Sequence, residues 1–376
     1  MEHLAGVLPH RGSNTVSEQR AAEYLQGRFR EYTDDVVMEE FHSIETPFIG
    51  LSAWYGEFLF VAIIAHWLPS IAFAYGITVF VLYLVELSGY QTVTRLLPHY
   101  ESQNVVASFL APRPEGVVVV SAHYDTGREN NLQEPTMERW VHWAHRAIVA
   151  AMFIILLSCL AQALELTREW AFPVEYIFRW AAGAYLLCTA LSLAYIELTA
   201  DYARGPNDNA SGVAALLDMA RRIQADQPEE LDIHLVATGS KEGGLNGMRQ
   251  FIRGQKLDQD TTWFINLDRV GLGTLRYVTG EGLLYCYKSN RGLIATAESI
   301  APRYEARPHR HRGWPTDLLI PLTRGFKAIG LTAIPEKDAT PAEDDSFPDR
   351  PAQVDAKTVA GAADFTENLI RALSGN

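Results

Sequence analysis

Cysteine is scarce in this 376-residue chain, which holds only Cys159, Cys188 and Cys286. The first two fall inside apolar stretches and the third in an expected strand, so no disulfide framework can be read from them. Basic charge is also short. Thirty-two Lys and Arg stand against 45 Asp and Glu, a net charge of −13. No basic stripe offsets it, which argues against a nucleic-acid partner. The N-terminus is polar, so no cleavable signal peptide is expected. Neither an internal repeat nor a low-complexity tract is found.

What the chain does have is apolar sequence in blocks. Its apolar fraction of 48% and charged fraction of 20% are ordinary, but the distribution is not. Leu51–Leu68 and Ile71–Leu87 form one pair, broken by Pro69 and interrupted or flanked by Glu57, His66 and Glu86. Ala147–Leu164 and Trp180–Ile196 form a second pair that contains no charge. A helix crossing a bilayer needs ~20 predominantly apolar residues, and with their flanks these segments are long enough. Trp143, Trp170, Tyr176, Trp180 and Tyr195 sit near the ends of the second pair, as in an interfacial belt. Four spanning helices in two hairpins, with the lipid bilayer as partner, are therefore expected. Arg95, Arg139, Arg146 and Arg204 flank the soluble side, against Arg168 and Arg179 on the opposite loop. That asymmetry leans toward a cytoplasmic soluble domain.

The remaining sequence alternates strands and helices. Residues 12–30 read as an amphipathic helix with a Thr15/Glu18 capping box. Asn104–Leu110 and Val117–Ala122 read as strands, the second a bare valine run of the kind buried on both faces. After residue 205 come a helix at 211–223, strands at Ile233–Ala237 and Trp263–Leu267, and a hairpin-like pair at Leu275–Val278 and Leu284–Tyr287. A strand around Ala328–Ile334 and a closing helix, Ala356–Leu373, follow. The fold class is thus α/β, a mixed, largely parallel sheet with helices on both faces. Residues 1–50, 89–140 and 200–376 are expected to form one soluble domain, with 51–88 and 143–198 inserted as membrane hairpins.

Four phrases in the soluble part end in metal-binding side chains: Ser-Ala-His123-Tyr-Asp125, Gly205-Pro-Asn-Asp208-Asn-Ala-Ser-Gly212, Lys241-Glu242-Gly-Gly-Leu-Asn-Gly247 and Ile265-Asn-Leu-Asp268. Each follows a strand-like run or opens a helix, where an α/β sheet collects its ligand-binding groups. One imidazole and several carboxylates suit one or two zinc ions. Asp125 is placed to orient His123, since a zinc-bound imidazole usually donates its other N–H to a carboxylate or carbonyl. Asp208 stands at a helix entrance among free N–H groups. Singly, each has a plainer reading: a surface turn for His-x-Asp, a helix cap by Asn209 or Ser211, a solvated acid after a strand. Occurring together in this order, they point to a site. Pro-His309-Arg-His311-Arg reads as an exposed basic loop.

These phrases, with Leu8-Pro-His-Arg-Gly-Ser and Asn104-Val-Val-Ala, resemble the two-zinc aminopeptidase family, which also contains glutamate carboxypeptidase, glutaminyl cyclase and transferrin-receptor-like members. The resemblance implies that His123 and Asp268 hold one zinc, Glu242 the other, and that Asp208 bridges them. It implies a peptide or aminoacyl substrate hydrolysed by zinc-activated water. Two positions depart from the family. Its general base is the glutamate before the Glu242 position, and here that residue is Lys241. Its C-terminal histidine ligand falls in a His-Ser-x-x-Asp phrase that reads Asp345-Ser-Phe-Pro-Asp349 here, or in a Ser-Asp-His phrase that reads Thr316-Asp317-Leu318. An ammonium with a pKa near ~10.4 is protonated at neutral pH and accepts no proton. Either Lys241 pairs with Asp345 or Glu242 in place of the second zinc, or Asp345 ligates zinc itself. Three functions follow as expectations: a membrane-anchored zinc exopeptidase, a non-catalytic relative kept as a membrane-bound binding or assembly module, and a one-zinc acyl-transfer enzyme such as a cyclase.

Overall fold

A computed structural model describes residues 1–8, 10–130, 137–166, 174–335, 349 and 353–375. The chain opens with α1 (Val16–Phe29) and β1 (Val36–Ser43), continues as the helical pair α2 (Pro47–Ile64) and α3 (Pro69–Leu87), and returns as β2 (Tyr100–Phe109) and β3 (Gly116–His123). A second helical pair follows, α4 (Glu138–Ala163) and α5 (Val174–Thr199). Next come α6 (Ser211–Ala225), β4 (Leu231–Thr238), α7 (Asn246–Gly254), β5 (Thr262–Leu267), β6 (Thr274–Glu281) and β7 (Tyr287–Lys288). The chain closes with α8 (Arg291–Ile300), β8 (Arg307–His311), α9 (Leu319–Thr323), β9 (Lys327–Ile334) and α10 (Ala356–Leu373). Two compact units result. Met1–Glu45, His99–Pro135 and Asp201–Asn376 make an α/β unit, and Thr46–Pro98 with Thr136–Ala200 a helical one.

The sheet of the α/β unit runs β1-β2-β4-β3-β5-β9-β6-β7, with β8 beside β6. Its centre, β4-β3-β5-β9, is parallel, while β1, β2 and β6 pair antiparallel around it. The valine run of β3 shows why this strand is central. Val118 and Val120 pack into the core formed with α1, α6 and α10, and Val119 into the core formed with α7 and α9. All three are fully buried. A strand covered on both faces has no use for alternation, hence the unbroken apolar sequence.

Helix α6 leads into β4 on one side of β3, and α7 leads into β5 on the other side. The two helices belong to opposite faces of the sheet. The chain therefore reverses its winding at β3, and loops diverge from its carboxyl end. Such a switch point opens a crevice there, the usual place for a ligand in an α/β sheet.

In the helical unit α2 packs on α3 and α5, and α4 on the same two helices, closing a four-helix arrangement. Each helix is long and apolar enough to cross a membrane. Phe60, Ile71, Val81, Phe153, Leu157 and Leu191 all lie exposed on the helices. Apolar side chains directed outward are what a hydrocarbon surrounding requires.

The structure adds elements to those expected and corrects one reading. Strand β1 and helices α7 and α8 were not expected. His309 and His311 lie in strand β8, not in an exposed loop, and His311 is buried with Nε2 2.7 Å from the Trp314 carbonyl. Thr15 does cap α1, accepting from the Glu18 N–H, but the Glu18 carboxylate takes the Asn14 N–H at 2.7 Å. Phe251 of α7 is fully buried against the sheet, whereas Val37 of β1 is 52% exposed. Phe251→Ala is expected to cost about 3–5 kcal/mol and Val37→Ala less than about 0.5 kcal/mol, read from denaturant-unfolding midpoints of the purified protein.

Candidate metal centre

Register brings the site together. His123 is the last residue of β3 and lies opposite Thr238 of β4. Ser121 lies opposite Asn266 of β5, so Asp268, just past that strand, reaches the level of His123. Lys241 and Glu242 follow the end of β4, and Asp208 precedes α6.

The Asp208 loop is sewn to the segment after β5. Asn209 Nδ2 donates to the Leu267 carbonyl at 2.9 Å, and its Oδ1 accepts from the N–H groups of Gly212 and Arg269 at 3.1 and 2.9 Å. Ser211 Oγ accepts from Val270 N–H, and Asn207 Oδ1 from Gly271 N–H. Asn209 thus caps the first turn of α6, while Asp208, with φ −109° and ψ 85°, leaves the helix path. Gly205 has φ +56°, and a Cβ there would lie 2.1 Å from the Asp208 carbonyl. Asn207, Asn209 and Ser211 thus each make a different bond, which leaves the Asp208 side chain to face His123. Asp349 completes the loop by accepting from the N–H groups of Asn207 and Asp208 at 2.6 and 3.0 Å.

Arg11, fully buried, joins this loop to the end of β3. Its Nε donates to the Tyr124 carbonyl at 2.6 Å, Nη1 to the carbonyls of Leu4 and Arg204, and Nη2 to Gly205 at 2.8 Å. Burial pulls its pKa down to about 10, still charged at neutral pH.

The imidazole of His123 is the focus. Its Nδ1 lies 3.1 Å from the Asp125 carbonyl oxygen and 3.5 Å from that residue's carboxylate. An Nδ1–H donated to the carbonyl leaves the Nε2 lone pair facing inward. There it meets Asp208 Oδ1 at 3.1 Å and Asp268 Oδ2 at 3.5 Å. These three buried atoms lack hydrogen bonds of acceptable geometry. Three lone-pair atoms do not sit together in a protein interior without a proton or a cation between them. Burial and Lys241 disfavour a charged His123, yet Asp125, Asp208 and Asp268 outweigh them and hold its pKa well above the ordinary histidine value. Burial likewise opposes charge on Asp208 and Asp268, but Lys241, Arg269 and His123 keep both pKa values low. One ligand atom from each of His123, Asp208 and Asp268 lies within 4.8 Å of the other two, a spacing that fits a metal ion. An N/O donor set of this kind suits zinc.

Of the residues singled out in the sequence, these three converge, and Asp125 braces them. Its carboxylate accepts from Ser13 Oγ at 2.7 Å and from the N–H groups of Lys241 and Glu242 at 3.1 and 2.9 Å. Its carbonyl, rather than its carboxylate, makes the shorter contact to His123. Glu242 lies outside the three-atom cluster, and its Oε1 accepts from Lys241 Nζ at 2.5 Å. Burial alone would lower the Lys241 pKa, but Glu242, Asp208 and Asp268 more than reverse it, so the ammonium stays protonated. Asp345 lies outside the described residues. Sequence reasoning overlooked Arg269, whose Nε donates to Asp268 Oδ1 at 3.0 Å. It also left Glu281 unmentioned and used Asp317 only to locate Leu318; both are buried carboxyls. A charged residue directly after a site aspartate was the available signal for Arg269.

Residues 192–367 match the sequence profile described as Peptidase family M28. No curated protein matches the chain by sequence. Among solved structures, BSAP, a zinc aminopeptidase from Bacillus subtilis, is similar at TM-score 0.56 and 13% identity, over 99% of this chain and 93% of that one. LapB from Legionella pneumophila is similar at TM-score 0.53 and 14% identity, over 100% and 70%. A Zn-dependent exopeptidase from Parabacteroides distasonis is similar at TM-score 0.53 and 12% identity, over 98% and 94%. At such identities the likeness concerns the fold. Because the Asp125 carboxylate holds the Lys241–Glu242 turn through two N–H groups while its carbonyl faces His123 Nδ1, Asp125→Asn is expected to weaken divalent-metal binding about 10–100-fold, measured by competition with a chromophoric chelator.

Proposed function

The α/β unit of this chain belongs to the two-zinc aminopeptidase family, peptidase family M28, and from that premise we propose a membrane-anchored exopeptidase-type hydrolase working with one zinc ion. The observation that carries the reading is the Lys241 ammonium, 2.5 Å from Glu242 and attracted by Asp208 and Asp268. That charge engages Glu242, the residue to which the family resemblance assigns the second cation. A second dication beside a buried ammonium would be strongly repelled.

His123, Asp208 and Asp268 would hold the zinc, with Asp125 and Arg269 fixing the orientation of two of them. When bound, zinc supplies Lewis-acid activation of water and polarises a peptide carbonyl. Lys241, unable to act as a base, places positive charge beside the oxygen on which negative charge develops, a favourable contribution in a dry site. Peptide or aminoacyl compounds are the substrate class. The four apolar helices would anchor the unit in a bilayer, with flanking arginines favouring the cytoplasmic side.

Lys241 also motivates a second reading, a binding module that has lost turnover, because the base position holds a cation. Hydrolysis of aminoacyl chromogenic substrates, with and without chelator, decides between them alongside zinc analysis of the purified protein. The expected result is one zinc per chain, chelator-sensitive turnover in the parent, and a second zinc gained by Lys241→Glu. Two tightly held zinc ions in the parent would contradict the one-metal site. Turnover confined to Lys241→Glu would favour the binding module.

A further inference from the structure

With Lys241 at the base position, hydrolysis needs another group to receive a proton. In the α/β unit, among the described residues, three carboxylates keep a buried oxygen with no hydrogen-bond partner: Asp208, Asp268 and Asp317. The first two face the metal position. We infer that Asp317 is the proton acceptor of this site, an assignment that rests on the hydrolase reading above.

Asp317 sits in the turn before α9 and is fully buried. Its Oδ2 accepts from Thr238 Oγ1 at 2.5 Å. Thr238 is the β4 residue opposite His123, and neighbouring strands are ~4.8 Å apart. Asp317 is therefore carried to the flank of the His123 ring, on the face of the sheet occupied by α7 and α9. The turn bearing it is itself fixed, because Thr316 donates its N–H and its Oγ1–H to Glu281 at 2.6 and 2.7 Å. Three other carboxylates in this unit have both oxygens occupied. Glu281 does through Thr316, Asp349 through the Asn207 and Asp208 N–H groups, and Asp125 through Ser13, Lys241 and Glu242. Asp317 is satisfied on one side only. Its Oδ1 is a buried acceptor to which the described residues supply no donor. Burial pushes its pKa up to about 6, against the opposing pull of His123 and the Thr238 hydrogen bond. A base near the working pH is the efficient kind.

In the step, a water oxygen bonds to the scissile carbonyl carbon while one water proton passes to Asp317 Oδ1. The same proton then passes to the leaving nitrogen as the C–N bond breaks. One water is consumed, one carboxyl product and one amine are released, and Asp317 returns to its starting state.

The test compares the parent with Asp317→Asn and Asp317→Glu, after zinc content and unfolding curves have been measured for each. The expected Asp317→Asn protein keeps its zinc and its fold. Its kcat falls by about 10²–10⁴-fold with little change in KM, and the acidic limb of its pH profile disappears. Asp317→Glu is expected to recover part of the rate. A readout independent of turnover is the number of protons released when zinc binds near pH 6, measured calorimetrically in buffers of different ionisation enthalpy. Asp317→Asn should release fewer than the parent. Undiminished turnover in a zinc-loaded Asp317→Asn protein, or an unchanged proton count, overturns the role of Asp317 and leaves the hydrolase reading standing. An inactive parent removes that reading, and the proton count then decides separately whether Asp317 faces the cation.

Discussion

The contact between Lys241 and Glu242 sets what the rest of the site can do. An isolated buried ammonium would be costly, and an isolated buried carboxylate equally so. Side by side, and surrounded by Asp208 and Asp268, each makes the other tolerable. Lys241 stays protonated, and Glu242 Oε1 accepts from its Nζ at 2.5 Å. What remains is the corner formed by His123, Asp208 and Asp268, where the inward atoms have no partner of their own.

That corner exists because of the winding of the sheet. Strand β3 lies where α6 and α7 part to opposite faces, so three loops splay from neighbouring strand ends and leave a cleft between them. The sequence between His123 and Asp208 includes a long helical insertion, yet the two ends of that insertion are brought back together inside the α/β unit. The Glu129 N–H donates to the Asp201 carbonyl at 2.8 Å and the Ala203 N–H to Gly127 at 2.9 Å. Arg11 then ties the backbone on both sides with four side-chain donations. The insertion can therefore lengthen without loosening the distance between the ligand positions.

Much of this was legible before any coordinates. The valine run announced a strand buried on both sides, and of four polar phrases after strands or before a helix, three bring His123, Asp208 and Asp268 together. The long uncharged segments announced helices suited to a bilayer. Other features were hidden for physical reasons. Helix α7 is preceded by Leu245, in a left-handed conformation, and its start lies among Gly243, Gly244 and Gly247, so the segment resembles a turn although Met248 and Phe251 bury it. Strand β8 is mostly polar because it packs along only part of its length. Arg11 looks like a surface arginine next to a histidine, since its acceptors lie as far as 194 positions away in the chain. The half-satisfied carboxylate of Asp317 could not be read at all, because whether an oxygen has a partner is decided only by packing.

The most direct test of the one-metal account is a crystal structure of the zinc-soaked protein with anomalous data on both sides of the zinc absorption edge. The account predicts a single zinc peak per chain, about 2.0–2.2 Å from His123 Nε2 and from oxygens of Asp208 and Asp268, with Lys241 still bonded to Glu242. Two peaks bridged by Asp208, or one peak on Glu242 with Lys241 displaced, would contradict it.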